Sequence, residues 1–221
     1  MNTFLDLFFK FFIYSFIGWV IETIYVSVKQ KKLANRGFLI GPYCPIYGIS
    51  AILMINILSN YKKDIIILFI VGLFIASFLE YITSLLLEKL FKVRWWDYSN
   101  HILNIDGRVC LLNSIMFGFL CIFLVQFLDP KVEHFINNIP TDIRTITSTI
   151  CLILFTVDTI LSYITVYKIE KIAFIKYNLK KDYTEEIAKI VKNKLFKESR
   201  TFRRLLKAFP NLNILKKINK P

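Results

Sequence analysis

Five apolar runs, at about residues 4–28, 44–60, 64–88, 109–128 and 147–167, constrain this chain more than any other feature. A helix crosses a bilayer with roughly 20 mostly apolar residues, and each run reads as one such helix. The fold class expected is all-α: a polytopic membrane protein with five transmembrane helices in residues 1–167 and a basic cytoplasmic tail in 168–221. The second run is the shortest, and Pro45 and Gly48 at its start make an irregular helix end there.

Composition agrees with a bilayer as the solvent. Hydrophobic side chains make up 55% of the 221 residues and aromatics 16%, more than an ordinary soluble domain carries. The formal charge is +13, and the stretch from Lys168 onward holds 16 Lys and Arg against 5 Asp and Glu. Attraction to an anionic lipid surface explains that bias better than nucleic acid, so the lipid bilayer is the expected partner. Cys44, Cys110, Cys121 and Cys151 show no C-x-x-C spacing, and His101 and His134 are the only histidines. Neither a disulfide framework nor a metal site is expected, and no cofactor. The first run lacks a positive leader and a small-residue cleavage site, so it reads as a retained helix.

The Lys and Arg bias of the short loops sets orientation. Lys29, Lys31, Lys32 and Arg36 follow the first run, and Lys89, Lys92, Arg94 and Arg108 lie after the third; Lys62 and Lys63, then Lys131 and Arg144, mark the other two loops. The first and third loops are expected inside, the N-terminus outside and the tail inside. In the tail, Asp182 and Glu185 resemble a capping box. Ile187, Ile190, Val191, Leu195, Phe202, Leu205, Leu206 and Phe209 then recur at helical spacing up to Pro210, which predicts a basic amphipathic helix.

Two parts of the chain look alike. Sliding the first run by 58 residues places Phe16 on Phe74, Gly18 on Ala76 and Glu22 on Glu80. Gly37 and Gly48 are eleven residues apart, as are Gly107 and Gly118, and Arg36 or Arg108 borders the first glycine of each pair. Two helix-loop-helix units in parallel are implied, the second loop carrying 12 extra residues around Arg94-Trp95-Trp96-Asp97-Tyr98.

Ionisable groups within the runs are the candidates for chemistry, since each is expensive in hydrocarbon unless it faces a bundle interior. Glu22, Glu80 and Asp158 stand out, each on a helix face with small or hydroxyl residues: Ser15 and Gly18, Gly72, Ala76 and Ser84, Ser162 and Thr165. Arg36, Arg94 and Arg108 are the expected partners, because a guanidinium clamps a carboxylate with two hydrogen bonds. Two readings stay open: a cytoplasm-facing vestibule in which Glu22 and Glu80 bind a cation, proton or cationic solute, or a set of structural clasps. Trp95, Trp96 and Tyr98 fit an aromatic belt at the membrane interface. Gly37, Gly41 and Gly107 read as turns, and Pro42 and Pro45 as helix breakers. No nucleotide-binding or hydrolytic motif is present, so no enzyme is expected.

Three stretches carry a family resemblance: IYSFIGWVIETIYVSVKQKKLANRGFLIGPYCPIYG (Ile13 to Gly48), EYITSLLLEKLFKVRWWDYS (Glu80 to Ser99) and NIDGRVCLLNSIMFG (Asn104 to Gly118). They closely resemble the bacterial Putative ABC-transporter type IV (CmpB-like) permease family. Its motif positions here are Glu22, Arg36, Gly37, Pro42, Cys44, Pro45, Glu80, Arg94, Trp95, Trp96, Asp97, Gly107, Arg108 and Asn113. The resemblance implies a small multi-pass protein of the bacterial cytoplasmic membrane and a transport-associated subunit, acting as a homo- or hetero-oligomer or with a separate ATPase. It assigns no solute and no catalytic residue. The alternative is a non-transporting membrane regulator or assembly factor that recruits partners through its loops and tail.

Overall fold

The structure is a computed structural model that describes residues 3–31, 37–91, 94–179 and 204. Six α-helices follow one another among them: α1 (Thr3–Gln30), α2 (Pro45–Leu58), α3 (Ile65–Phe91), α4 (Leu111–Phe123), α5 (Asp129–Asn137) and α6 (Thr141–Leu179). A two-residue antiparallel ladder between β1 (Asn104–Ile105) and β2 (Val109–Cys110) lies in the loop before α4, a small departure from an all-α chain. Arg36 and the expected tail helix lie outside the described residues, Arg204 excepted.

Four helical stretches are long and apolar enough to cross a membrane: Phe4–Val28, Ile65–Leu90, Leu111–Asn137 and Thr141–Thr165. Pro45–Tyr61 is a shorter apolar helix. Large apolar side chains such as Phe74, Phe78, Phe119, Ile150 and Leu154 point outward, which only a lipid surround makes favourable. The chain is a multi-pass membrane protein.

Helix boundaries follow local chemistry. Proline at the first turn opens α2, where a missing N–H costs nothing, and extended Cys44 precedes it. The fourth apolar run continues beyond its expected end at residue 128. Pro130 lacks an N–H and would clash with the carbonyl four residues back, and the π-helical turn Leu124–Leu128 widens the backbone just before it, letting the helix run on as α5. The last helix also starts earlier than residue 147, at Thr141, because Arg144 in its polar first turns is paired and buried.

The helices form two antiparallel hairpins, α1 with α2 and α3 with α4, with α6 laid against α1. Residues 37–44 and 94–110 share one end of the bundle, since the rings of Phe38 and Trp95 meet at 5.4 Å. We call this the loop end and the other the turn end. The core between the hairpins holds Ala51, Met54, Leu58, Leu68, Ala76, Cys121 and Val125. The same close approach occurs in both hairpins. A methyl on Gly48 would lie 2.6 Å from Phe11 O and 2.7 Å from Phe11 Cδ2, and one on Gly118 would lie 3.0 Å from Phe69 O and 2.7 Å from Phe69 Cδ2. Phe69 follows Phe11 by 58 residues and Gly118 follows Gly48 by 70, the two offsets found in the sequence. Gly37 and Gly107, also 70 apart, both take positive φ, at 109° and 65°.

Gly48→Ala and Gly118→Ala should each destabilise the bundle by about 1–3 kcal/mol, because a backbone carbonyl cannot swing aside as a side-chain tip can. Thermal unfolding in mild detergent reads this directly. An unchanged midpoint in both variants would show that the hairpins are not packed this closely.

Candidate functional site

Polar side chains gather at the loop end in three groups, each built on a buried carboxylate. The first ties α6 to the first loop. Asp158 Oδ1 accepts hydrogen bonds from the Ile40 N–H at 2.9 Å and the Ser162 hydroxyl at 2.9 Å, and Oδ2 accepts from the Gly41 N–H at 2.7 Å and the Tyr43 hydroxyl at 2.6 Å. Four donors surround the carboxylate, and the charge of Arg204 also acts on it. Burial pushes the Tyr43 phenol well above its ordinary range, and the Asp158 hydrogen bond and charge add to this, so Tyr43 remains a donor. Thr165, expected on the same face, is half-buried and bonds back to Leu161 O. Arg204 Nη2 donates to Phe38 O at 3.0 Å on the same loop.

The second group holds Glu80 and Glu22. Gly72, Ala76, Glu80, Ser84 and Glu88 form one buried stripe along α3, the expected inward face extended by one residue. The Tyr98 hydroxyl donates to Glu80 Oε1 at 3.1 Å, and among the described residues Glu80 Oε2 has no hydrogen-bond partner. Burial is the largest cause holding the Tyr98 phenol far above its usual range, followed by the charge and hydrogen bond of Glu80, then Cys110 and Glu22. The charges of both glutamates thus act on this phenol, and Glu80 bonds it directly. Cys44 Sγ is 3.9 Å from Glu22 Oε2, and the Cys44 amide donates to Ser15 O at 2.9 Å, which seats the start of α2 on α1.

The third group corrects the expected pairing. Arg94 and Arg108 do not clamp Glu80; they converge on Glu88, with Arg108 Nη2 at 2.7 Å and Arg94 Nε at 3.5 Å from Oε2. Glu88 is two helical turns nearer the loop, where a guanidinium anchored in the loop can reach it. Arg108 also donates to Ser84 Oγ at 3.2 Å and lies over the Tyr81 ring. Its carbonyl accepts the Trp96 indole N–H at 2.9 Å. Arg94 reaches Asp106 O at 3.0 Å and Asp97 Oδ1 at 3.7 Å, and Asp97 in turn receives the Ser99 N–H at 3.0 Å. Trp95 is buried edge-on against Phe38 and not turned outward as an interface belt requires. Gly107 N–H donates to Asn104 Oδ1. Pro42 is exposed, Pro45 opens α2, and half-buried Asn113 precedes Ser114, whose hydroxyl meets that of Ser77 at 2.6 Å.

Sequence reasoning overlooked the turn end. Asp129, fully buried, takes the Tyr14 hydroxyl at 2.7 Å and Lys10 Nζ at 2.9 Å, with Lys62 Nζ at 3.8 Å. Arg144 Nε pairs with Asp6 Oδ1 at 2.7 Å. The available signal was Lys10 interrupting the first apolar run while Asp129 closed the fourth: opposite charges at one depth.

A model of the family described as Putative ABC-transporter type IV matches residues 9–163. The chain belongs to that family. The match spans both hairpins and α6 past Asp158, so all three loop-end carboxylate groups and Asp129 are within the family region, and the basic tail is beyond it. No curated protein and no solved structure matches the chain.

Arg108→Ala should cost this family member about 3–5 kcal/mol, because it removes the nearest cation from a buried carboxylate. The paired change Arg108→Met with Glu88→Leu should recover much of that loss in a detergent unfolding assay. If Arg108→Ala unfolds with the parent chain, Glu88 does not depend on it. Asp158→Asn should loosen the first loop, seen as faster amide exchange at Ile40 and Gly41 with the helices unaffected; unchanged exchange there would count against the clasp.

Proposed function

We propose that the chain is the membrane subunit of a transporter, working as an oligomer or with a separate ATPase, and that Glu22 and Glu80 form its polar site. A duplicated helix-loop-helix unit sets the two glutamates in related positions, so a cation, proton or cationic solute meets both. The observation that carries this is Glu80 itself: buried in an apolar bundle, one oxygen held by Tyr98 and the other without a partner among the described residues. A buried carboxylate held only by a neutral donor favours a cationic guest. On this reading the loop end faces the cytoplasm, the N-terminus lies outside and the tail inside, and α2 makes a fifth, shorter crossing. The Lys and Arg content of the first and third loops supports that orientation. The chain has no catalytic role of its own, and the nucleotide is bound by another subunit.

A second reading is a non-transporting regulator or assembly factor. It is favoured by Asp158 and Glu88, whose donors and cations make them clasps that stiffen the loops as a recruiting surface.

Extraction from the native membrane in mild detergent should bring down a stoichiometric subunit with a phosphate-binding loop. In the reconstituted complex, Glu80→Gln should lower solute-stimulated ATP hydrolysis at least tenfold, about 1.4 kcal/mol of lost coupling, at unchanged abundance and helix content. Full activity in Glu80→Gln removes the glutamate site. Isolation without any nucleotide-binding subunit shifts the balance to the regulator.

A further inference from the structure

The tip of the second large loop, residues 98–105, is built unlike the rest of the loop end. Ile102, Leu103 and Ile105 are 84%, 69% and 61% exposed, so three aliphatics within four residues project from the bundle. From Tyr98 to Ile105 the sequence YSNHILNI carries no formal charge with His101 neutral. Asn104 ties the tip together from within. Asn104 Nδ2 donates to His101 O at 2.9 Å and Ser99 O at 3.3 Å, while its Oδ1 accepts the Gly107 N–H at 2.9 Å. The His101 N–H donates to Tyr98 O and the Arg108 N–H to Ile105 O. Leu103 holds a left-handed φ of 51°, a conformation that a leucine adopts at an energetic cost and that persists only where the surroundings enforce it.

Position decides what this surface meets. Leu103 O accepts the N–H of Leu111, the first residue of α4, at 3.2 Å. The tip therefore sits at the level where the spans Ile65–Leu90 and Leu111–Asn137 end. Its aliphatics continue onto Leu111 and Leu112, both exposed on the side of α4 that faces lipid. An uncharged segment with outward aliphatics meets the conditions for lying at the wet headgroup edge of a bilayer with its apolar side chains dipped inward. We propose that Ile102, Leu103 and Ile105 insert into the headgroup-acyl boundary of the leaflet at the loop end, anchoring the loop that carries Tyr98, Arg94 and Arg108. The anchor holds the donor to Glu80 and the two cations on Glu88 at a set depth, and it does not depend on the transport reading.

The test uses the full chain carrying Ile102→Cys, labelled with an environment-sensitive fluorophore and reconstituted into phosphatidylcholine/phosphatidylglycerol vesicles at high lipid excess. The parent chain labelled in parallel accounts for half-buried Cys151, and Asn60→Cys, in the exposed turn at the other end, is the aqueous reference. Ile105→Cys is the second site should the first variant fold poorly. The expected result is blue-shifted emission, iodide quenching several-fold weaker than at Asn60, and stronger quenching by a nitroxide near the glycerol backbone than by one at mid-chain. Quenching by iodide equal to that at Asn60 overturns the proposal. So does shielding that vanishes on dilution into more lipid, which marks a second copy, or shielding seen only in native membranes, which marks a protein partner.

Discussion

A carboxylate enclosed by an apolar bundle must be surrounded by donors or cations, and much of the polar architecture here answers that requirement. Asp158 collects two backbone N–H groups and two hydroxyls, Glu88 collects two guanidiniums, and Asp129 collects a phenol and two ammonium groups. Each solution ties one element to another, and two of them join segments more than a hundred residues apart. Asp158 pins the first loop to α6, Glu88 folds the second loop back over α3, and Asp129 draws the start of α1 and the turn before α3 toward α5. Desolvating an ion is expensive, and releasing any one of these contacts would leave that expense uncompensated. The loops are held by the charges they cover. Glu80 stands apart because Tyr98 serves one of its oxygens and no described residue bonds the other.

Between the two polar ends the bundle is held by shape. Gly48 lets α2 lie against the Phe11 carbonyl, and Gly118 lets α4 lie against that of Phe69. With lipid tails as apolar as leucine, helices gain little from hiding apolar surface from one another, and close contact through small residues takes its place. Recurrence of one contact at two sequence offsets gives both hairpins similar internal geometry, which places Glu22 and Glu80 on corresponding turns. The longer second loop then breaks the likeness, since its added residues supply Arg94, Trp96 and Tyr98. Glu80 meets a phenol from that insertion, whereas Glu22 meets the thiol of Cys44.

Much of this was legible in advance. Four of the five apolar runs coincide with helices long enough to cross a membrane and the second with a shorter apolar one; spacing on α3 picked out the face bearing Gly72, Ala76, Glu80 and Ser84, and motif residues named the family. Illegible parts depended on reach. Arg36, Arg94 and Arg108 were expected as a set to partner Glu22, Glu80 and Asp158, yet the Arg108 side chain, leaving the loop next to β2, ends at Glu88 and Ser84. Trp95 looked like an interface residue because tryptophan favours that position, and Phe38 from the other hairpin buried it. The fourth apolar run, expected to end at residue 128, continues through a π-helical turn and Pro130 into α5 because charged residues there are carried on the same helix.

The sequence by itself determined that this is a multi-pass helical membrane protein of the family described as Putative ABC-transporter type IV, because chain length in apolar residues and a few rare motif residues are properties of the linear chain. It also pointed to Glu80 and Asp158 as enclosed carboxylates, because periodicity assigns a residue to a helix face, but not to Glu88 or Asp129. Only the tertiary structure decided what each carboxylate bonds to, because those partners lie up to 118 residues away along the chain and are chosen by side-chain length and loop path. Hence Asp158 acquired four donors and Glu88 two arginines, while Glu80 kept one oxygen without a described partner.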